Sequence, residues 1–144
     1  MKTDFLSSGA SIGTVPPAVR ALLIAEAFQA GRKTILWLIE GADEMYQAAE
    51  DLACFTAPET IACFYPPDVR PYQGDSPSKE IVAKRIAVLR RLLQGQPMIL
   101  VAPVEAVLPY TIPPDDLEGA VIPIETGKDL NREELAGRLI STWK

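Results

Sequence analysis

At 144 residues, 48% of them hydrophobic, the chain is long enough to fold around one sizeable core, and this composition excludes an intrinsically disordered protein. With 14 basic and 19 acidic side chains the net charge is −5, which excludes nucleic-acid binding by general electrostatic attraction, because such binding needs a basic face. Histidine is absent, so histidine triads and histidine metal sites are excluded, and any catalysis would rest on carboxylates, lysine or cysteine.

We also expect neither a membrane span nor a secretory leader. No apolar run approaches the roughly 20 residues that cross a bilayer, and the N-terminus lacks the apolar core and cleavage site of a secretory leader. The two cysteines, Cys54 and Cys63, are too few for a disulfide framework and lack metal-ligand spacing. We therefore expect reduced, mostly buried thiols in a cytoplasmic protein that contacts no membrane and binds no metal.

The first half of the chain alternates predicted helices with apolar strands. Residues 1–14 are polar and rich in serine and glycine, and the two prolines that follow suit the first turn of a helix, where missing N–H groups cost little. A continuous apolar run at 34–39 is typical of a strand buried on both faces. The predicted elements are a helix from Pro16 and Pro17 to Gly31, a strand at 34–39, a helix at 42–54 and a strand at 60–65.

The second half begins with a proline-rich loop at 66–78. Its length and stiffness indicate a functional surface, because ordering such a loop costs chain entropy. Pro123 restricts its own segment to an edge strand. The predicted elements are a helix at about 78–94 with the apolar stripe Val82, Ile86, Leu89 and Leu93, a strand at 97–102, a helical turn at 104–108, an edge strand at 120–124, and a final helix in which Asn131 and Glu134 resemble a capping box and Trp143 turns inward.

Strands that alternate with helices predict parallel βαβ units. The expected fold is therefore an α/β three-layer sandwich with a mostly parallel sheet, similar to a degenerate P-loop NTPase domain. We expect residues 1–144 to form a single domain.

The turn before the first helix is where such folds place phosphate-binding loops. A working loop needs backbone N–H groups, a lysine, and a serine or threonine hydroxyl for Mg²⁺. Gly13 and Thr14 are followed here by two prolines without N–H groups; Arg20 falls roughly at the lysine position and Ala21 at the hydroxyl position. The sequence thus predicts a degenerate phosphate loop with no cofactor and no catalytic residue, and weak anion binding is the alternative.

The third predicted helix carries the one local basic patch, formed by Lys84, Arg85, Arg90 and Arg91. It is either an ordinary solvated face or a contact for a partner domain or DNA phosphate. In the preceding loop, Tyr72 and the pair Ser76 and Pro77 are either interaction residues or loop packing with a helix cap. Ser76 and Ser78 are equally suited to cap the helix.

The loop and this helix resemble the N-terminal region of transcription-repair coupling factors (Mfd), which is itself similar to the helicase UvrB. The family pattern runs from an aromatic strand end through Pro-Asp, Pro-Tyr and Ser-Pro-x-x-Glu-Ile into an arginine- and leucine-containing helix. The matching residues are Tyr65–Asp68, Arg70–Tyr72, Ser76–Ile81, Arg85 and Leu89, followed by Gly95 and the strand Ile99–Val104, with flanking similarity at Arg20–Ala25 and Leu130–Trp143.

This resemblance implies a helicase-like fold that has lost its ATP site. It further implies a non-catalytic, monomeric module of transcription-coupled nucleotide excision repair, which ends where the family's UvrA-binding insertion would begin. Its expected partners are other domains of a larger repair protein, UvrA and DNA. The chain departs from the family pattern at the two prolines before the first helix and at Arg70, which replaces an apolar residue.

Two rival functions remain open. One is a residual ATP-binding domain of the UvrB type. The other is a stand-alone Rossmann-like binding protein, although the glycine fingerprint of a dinucleotide site is missing from the sequence.

Overall fold

The computed structural model describes residues 11, 13–68, 78–122, 124–127, 129 and 131–141. Its elements are α1 (Pro17–Gly31), β1 (Ile35–Ile39), α2 (Ala42–Ala53), a 3₁₀ turn (Pro58–Thr60), β2 (Ile61–Cys63), α3 (Lys79–Leu93), β3 (Ile99–Pro103), α4 (Val104–Val107), α5 (Pro114–Ala120) and α6 (Arg132–Ser141). Every predicted helix up to residue 108 is found, as are the first three predicted strands.

The three strands form one parallel sheet in the order β1-β3-β2. The register pairs Ile35 of β1 with Ile99 of β3, and Ile61 of β2 pairs with the same Ile99 from the other side. Every residue of the central strand β3 is buried, as expected for a strand flanked by partners and covered on both faces. The predicted α/β class and parallel pairing are confirmed.

The sheet has a hydrophobic core on each face. On one face α1 and α2 pack against the strands, with Phe28, Met45 and Leu52 buried there. On the other face α3 and α4 contribute Val88 and Ala106, which pack beside side chains of β2 and β3. Helices on both faces of a parallel sheet are compatible with the predicted sandwich.

Helix α3 packs on the sheet through a face that contains an arginine. Val88 is buried on this face, and Arg85 is half-buried one turn before it. The predicted apolar stripe is wrong for three of its four members, since only Leu89 packs against the core. The other three are 38%, 41% and 44% exposed, in the order Val82, Ile86 and Leu93. Both faces have helical spacing, and the prediction chose the one without a charge.

The end of the chain differs most from the prediction. The segment 120–124 was expected to be an edge strand, but α5 extends to Ala120 and the described residues after it form no strand. Asp115 and Asp116 lie in the first turn of α5, where acidic side chains interact favourably with the helix dipole. Pro114 starts that helix, because a missing N–H is tolerated in the first turn.

The predicted cap of the final helix is confirmed. The Asn131 side-chain oxygen accepts hydrogen bonds from the backbone N–H groups of Glu133 and Glu134, at 3.0 and 3.3 Å. These bonds satisfy N–H groups that have no partner within the helix. The predicted position of Trp143 lies outside the described residues.

The chain divides into two compact units, Met1–Tyr110 and Thr111–Lys144. The first contains the sheet with α1 to α4, and the second contains α5 and α6. In the part of the chain that the structure describes, no helix combines the length and apolar character needed to cross a membrane.

Candidate functional site at the carboxyl edge of the sheet

The carboxyl ends of the three strands lie along one edge of the sheet, because all pairings are parallel. Open α/β sheets bind ligands at this edge, in crevices outside the strand ends. Helices α1, α2 and α3 run back from it, so their N-terminal turns also lie there. The predicted site residues that the structure describes fall into two groups, one around α1 and one around α3.

The first group surrounds an open pocket at the predicted phosphate loop. The pocket is lined by Gly13, Thr14, Val15 and Arg20. Pro16 occupies the N-cap position of α1 without a side-chain cap, and Pro17 follows as the first helical residue. Neither proline has an N–H group to offer an anion.

Within this group, the Arg20 side chain forms an ion pair, whereas Ala21 is buried. The Arg20 guanidinium forms an ion pair with the Glu44 carboxylate of α2, at 3.5 Å between Nη1 and Oε1. Glu44 also accepts a hydrogen bond from the Glu40 backbone N–H, at 3.2 Å. Ala21 is fully buried in the core between α1, α2 and the sheet. The position expected to carry a metal-binding hydroxyl therefore faces the core and not the pocket.

The second group is organised by Arg85, which joins three elements. Its Nη1 donates hydrogen bonds to the backbone carbonyls of Tyr65, after β2, and Ala106, in α4. Its guanidinium carbon lies 4.1 Å from the ring centroid of Phe64, within range of a cation–π contact. Burial lowers the pKa of the Arg85 guanidinium. Arg85 thus has a structural role where α3 packs on the sheet. It is one of the four residues predicted to form the basic patch, and it is not available there for a partner.

Lys84 lies on the outer side of the same helix turn. Its Nζ is 2.7 Å from a carboxylate oxygen of Glu80 and 4.9 Å from the ring centroid of Tyr65. The hydrogen bond between the Lys84 ammonium and the Glu80 carboxylate raises the pKa of Lys84 and lowers the pKa of Glu80. The Tyr65 ring also meets the half-exposed Tyr46 ring of α2, at 6.2 Å between centroids and 56° between planes. An accessible array of two tyrosines and one lysine results.

This array suits contact with a flat or aromatic partner group. Tilted aromatic rings and an adjacent ammonium present both an apolar surface and a positive charge. Burial is the largest cause of a raised pKa at Tyr65, followed by the nearby Cys63 thiol, so the phenol stays neutral at ordinary pH. The two phenols can therefore donate and accept hydrogen bonds while neutral, and the Lys84 ammonium beside them is balanced by the exposed Glu80 carboxylate.

The remaining predicted interaction residues are only partly described. Arg91 donates a hydrogen bond from Nη2 to the Glu59 carbonyl, at 2.8 Å, which ties the end of α3 to the turn before β2. Ser78 occupies the N-cap position of α3 without a side-chain cap, and its backbone N–H instead donates to both carboxylate oxygens of Asp68, at 3.1 and 3.0 Å. The positions predicted as contacts at Arg70, Tyr72, Ser76 and Pro77 lie outside the described residues.

The residues that contact these side chains were not predicted from the sequence. Glu44 and Tyr46 were not singled out, although both lie in the first turns of a predicted helix beside a strand end. Asp68 was noted only as part of the family pattern. A useful signal would have been that all three follow a strand end, where parallel sheets gather their ligands.

Among the side chains that the structure describes, no three aspartate, glutamate or cysteine groups lie close enough together to hold a metal ion. No protein-family model matches the chain, and no curated protein matches it either.

Proposed function

We propose that this chain is a non-catalytic module of the transcription-repair coupling type, which acts in nucleotide excision repair through contacts with proteins or DNA. The ordered motifs from Tyr65 to Val104 support the family. The non-catalytic role is supported by one observation above all: Glu44 compensates Arg20, the one cation among the described residues that line the phosphate-loop pocket, while Ala21 is buried in the core. A phosphoryl-transfer site needs the opposite arrangement, with cations and a metal-binding hydroxyl directed at the phosphates.

The proposal assigns the contact surface to the array of Tyr46, Tyr65 and Lys84. A protein hot spot or an unstacked base would fit the exposed Tyr46 ring, with the half-buried Tyr65 ring and the Glu80-paired Lys84 ammonium beside it. The acidic chain lowers its general affinity for DNA, so a DNA contact would depend on this local feature. Its proposed partners are other domains of a larger repair protein, UvrA and DNA, and the proposed compartment is the cytoplasm.

Binding to purified UvrA tests this function. Immobilised UvrA should capture the chain with a saturable signal in biolayer interferometry, and Tyr46→Ala together with Lys84→Ala should weaken capture about tenfold or more if the array is a hot spot. Lys33→Ala is the matched control, because Lys33 is an exposed cation before β1, at the opposite edge of the sheet from the array. A chain that ignores both UvrA and single-stranded DNA contradicts the repair role.

A residual ATP-binding domain is the second candidate. It is favoured by the open pocket at Gly13, Thr14 and Arg20, and by the Arg20 Nε, which is buried and has no hydrogen-bond partner among the described residues. Isothermal titration with ATP and Mg²⁺ decides between the two. Saturable micromolar binding that Arg20→Ala abolishes would establish the second candidate, whereas no heat of binding supports the first.

A further inference from the structure

Among the residues that the structure describes, the face of the sheet that α3 covers is left open over β1. Strand β1 directs Ile35, Trp37 and Ile39 toward α1 and α2, so the alternation of side chains turns Leu36 and Leu38 to the opposite face. The core on that opposite face contains residues of β2, β3, α3 and α4, and none of β1 among the described residues. Leu36 and Leu38 are accordingly 51% and 49% exposed.

The apolar flank of α3 borders this open area. Lys84 contacts the Tyr65 ring, and Arg91 donates to the Glu59 carbonyl. Both partners lie on the outer side of the sheet, at β2. At about 100° per residue, the opposite flank of α3 is the one that carries three exposed apolar residues. By this spacing, that flank lies on the side of α3 nearer β1. We define the β1 groove by these two sets of exposed apolar residues, Leu36 and Leu38 on the sheet and Val82, Ile86 and Leu93 on α3.

The α3 edge of the β1 groove is basic, although the chain as a whole is acidic. Lys79 and Arg90 follow the apolar flank on the outer side of α3, and both are exposed. Neither forms an ion pair with any residue that the structure describes. The only carboxylate of α3, Glu80, lies away from this flank and is bound to Lys84. The groove is therefore complementary to an apolar surface with carboxylates beside it.

We propose that the β1 groove docks an amphipathic helix of a partner protein, with leucine-like side chains on the floor and carboxylates toward α3. A helix suits the space, because parallel sheets are normally covered by helices on both faces and this part of the sheet is uncovered. A strand of the length of β1 spans about 17 Å, which matches about three turns of helix. The proposal does not rest on the repair assignment, since the groove has the same chemistry in any assembly.

A designed peptide is the probe. It is roughly 14 residues long, with leucines at positions i, i+3, i+4 and i+7 and glutamates on the flanks, and a second version replaces the glutamates with lysines. Fluorescence anisotropy with the full chain should show saturable binding of the glutamate peptide only. Leu36→Gln with Leu38→Gln should weaken this binding about tenfold or more, and Arg90→Glu several-fold.

Val19→Gln is the matched control, because Val19 is 39% exposed on α1, on the opposite face of the sheet, and its substitution should leave binding unchanged. Equal binding of the two peptides, or binding that the Leu36 and Leu38 substitutions do not reduce, overturns the proposal. Arg90→Glu removes only an exposed charge, so it still tests the groove if the leucine variant unfolds. Concentration-dependent dimerisation that the leucine variant abolishes would assign the groove to a second copy and would also overturn it.

Discussion

The Arg85 guanidinium lies over the Phe64 ring, at 4.1 Å, and donates to two backbone carbonyls from separate elements. A charged side chain thus occupies a position, between α3 and the sheet, where an apolar side chain is usual. This is tolerated because the charge gains hydrogen-bond acceptors and an aromatic face as it leaves water.

Arg85→Ala should lower the free energy of unfolding by about 2–3 kcal/mol, because it removes the cation–π contact and leaves two carbonyls without this donor. Urea denaturation monitored by circular dichroism measures the change. Arg90→Ala is the control on the same helix and should change stability by less than about 0.5 kcal/mol. Equal losses from the two variants would mean that Arg85 has no structural role.

Introducing the residue types of a phosphate loop at Arg20 and Ala21 should not create ATP binding. Arg20→Lys with Ala21→Thr supplies the expected residue types, yet the threonine would enter a fully buried site and destabilise the chain by about 1–3 kcal/mol. Thermal denaturation and titration with ATP and Mg²⁺ measure both effects. Arg20→Lys alone should retain stability to within about 1 kcal/mol, because its ion pair with Glu44 is about 40% exposed at both side chains.

Stability should fall at alkaline pH because of two groups on and after β2. Burial raises the pKa of the Cys63 thiol above its ordinary value of 9.0, and it raises the pKa of the Tyr65 phenol above 10.0. A raised pKa means that the folded state holds the proton more tightly, so this stability is complete below pH 9 and is lost as the pH rises through the folded-state values. The midpoint of thermal unfolding, followed from pH 7 to about 11, should decline.

Two variants separate these contributions. Cys63→Val should remove the part of the decline that begins near pH 9, and Tyr65→Phe the part that begins near pH 10. A decline unchanged in both variants would assign the alkaline loss to other groups.

The expectation of mostly buried thiols is wrong for Cys54, which is exposed, whereas Cys63 is half-buried. At pH 8 a thiol reagent should therefore modify Cys54 much faster than Cys63.

The capping role of Asn131 predicts a local effect on α6. Asn131→Ala should destabilise the helix by about 1 kcal/mol, because two N–H groups lose their acceptor. Asn131→Asp keeps a side-chain oxygen and should preserve the helix. Amide hydrogen exchange at Glu133 and Glu134 measures the result. If the alanine variant retains the protection of those amides, the cap does not hold the helix end.

Most helices and strands of the first unit are readable from the chain itself. The apolar run at 34–39, the helical spacing of Met45, Ala48 and Leu52, and the breaks at Gly31 and Gly95 are local signals, and they act within one element. The failure at 120–124 has a local cause too. Short apolar runs do not distinguish a strand from a helix end followed by extended chain.

The candidate site was only partly accessible to such reasoning. The turn before α1 could be singled out from its prolines and from Arg20, since these are residue types at fixed spacing, and the structure has an open pocket there. The pairing of Arg20 with Glu44 could not be predicted from the sequence, because the two residues are 24 positions apart and lie on different helices. The same holds for the meeting of Tyr46 with Tyr65 across the end of the sheet.

Local sequence patterns thus determined the parallel α/β class, because burial periodicity and helix breaks are properties of short segments. Only tertiary packing decided which side of α3 faces the sheet. Two faces of that helix have equally good spacing, and the choice depends on carbonyls at Tyr65 and Ala106 that are distant in sequence. By turning Arg85 inward, packing left Val82, Ile86 and Leu93 beside the open floor of β1.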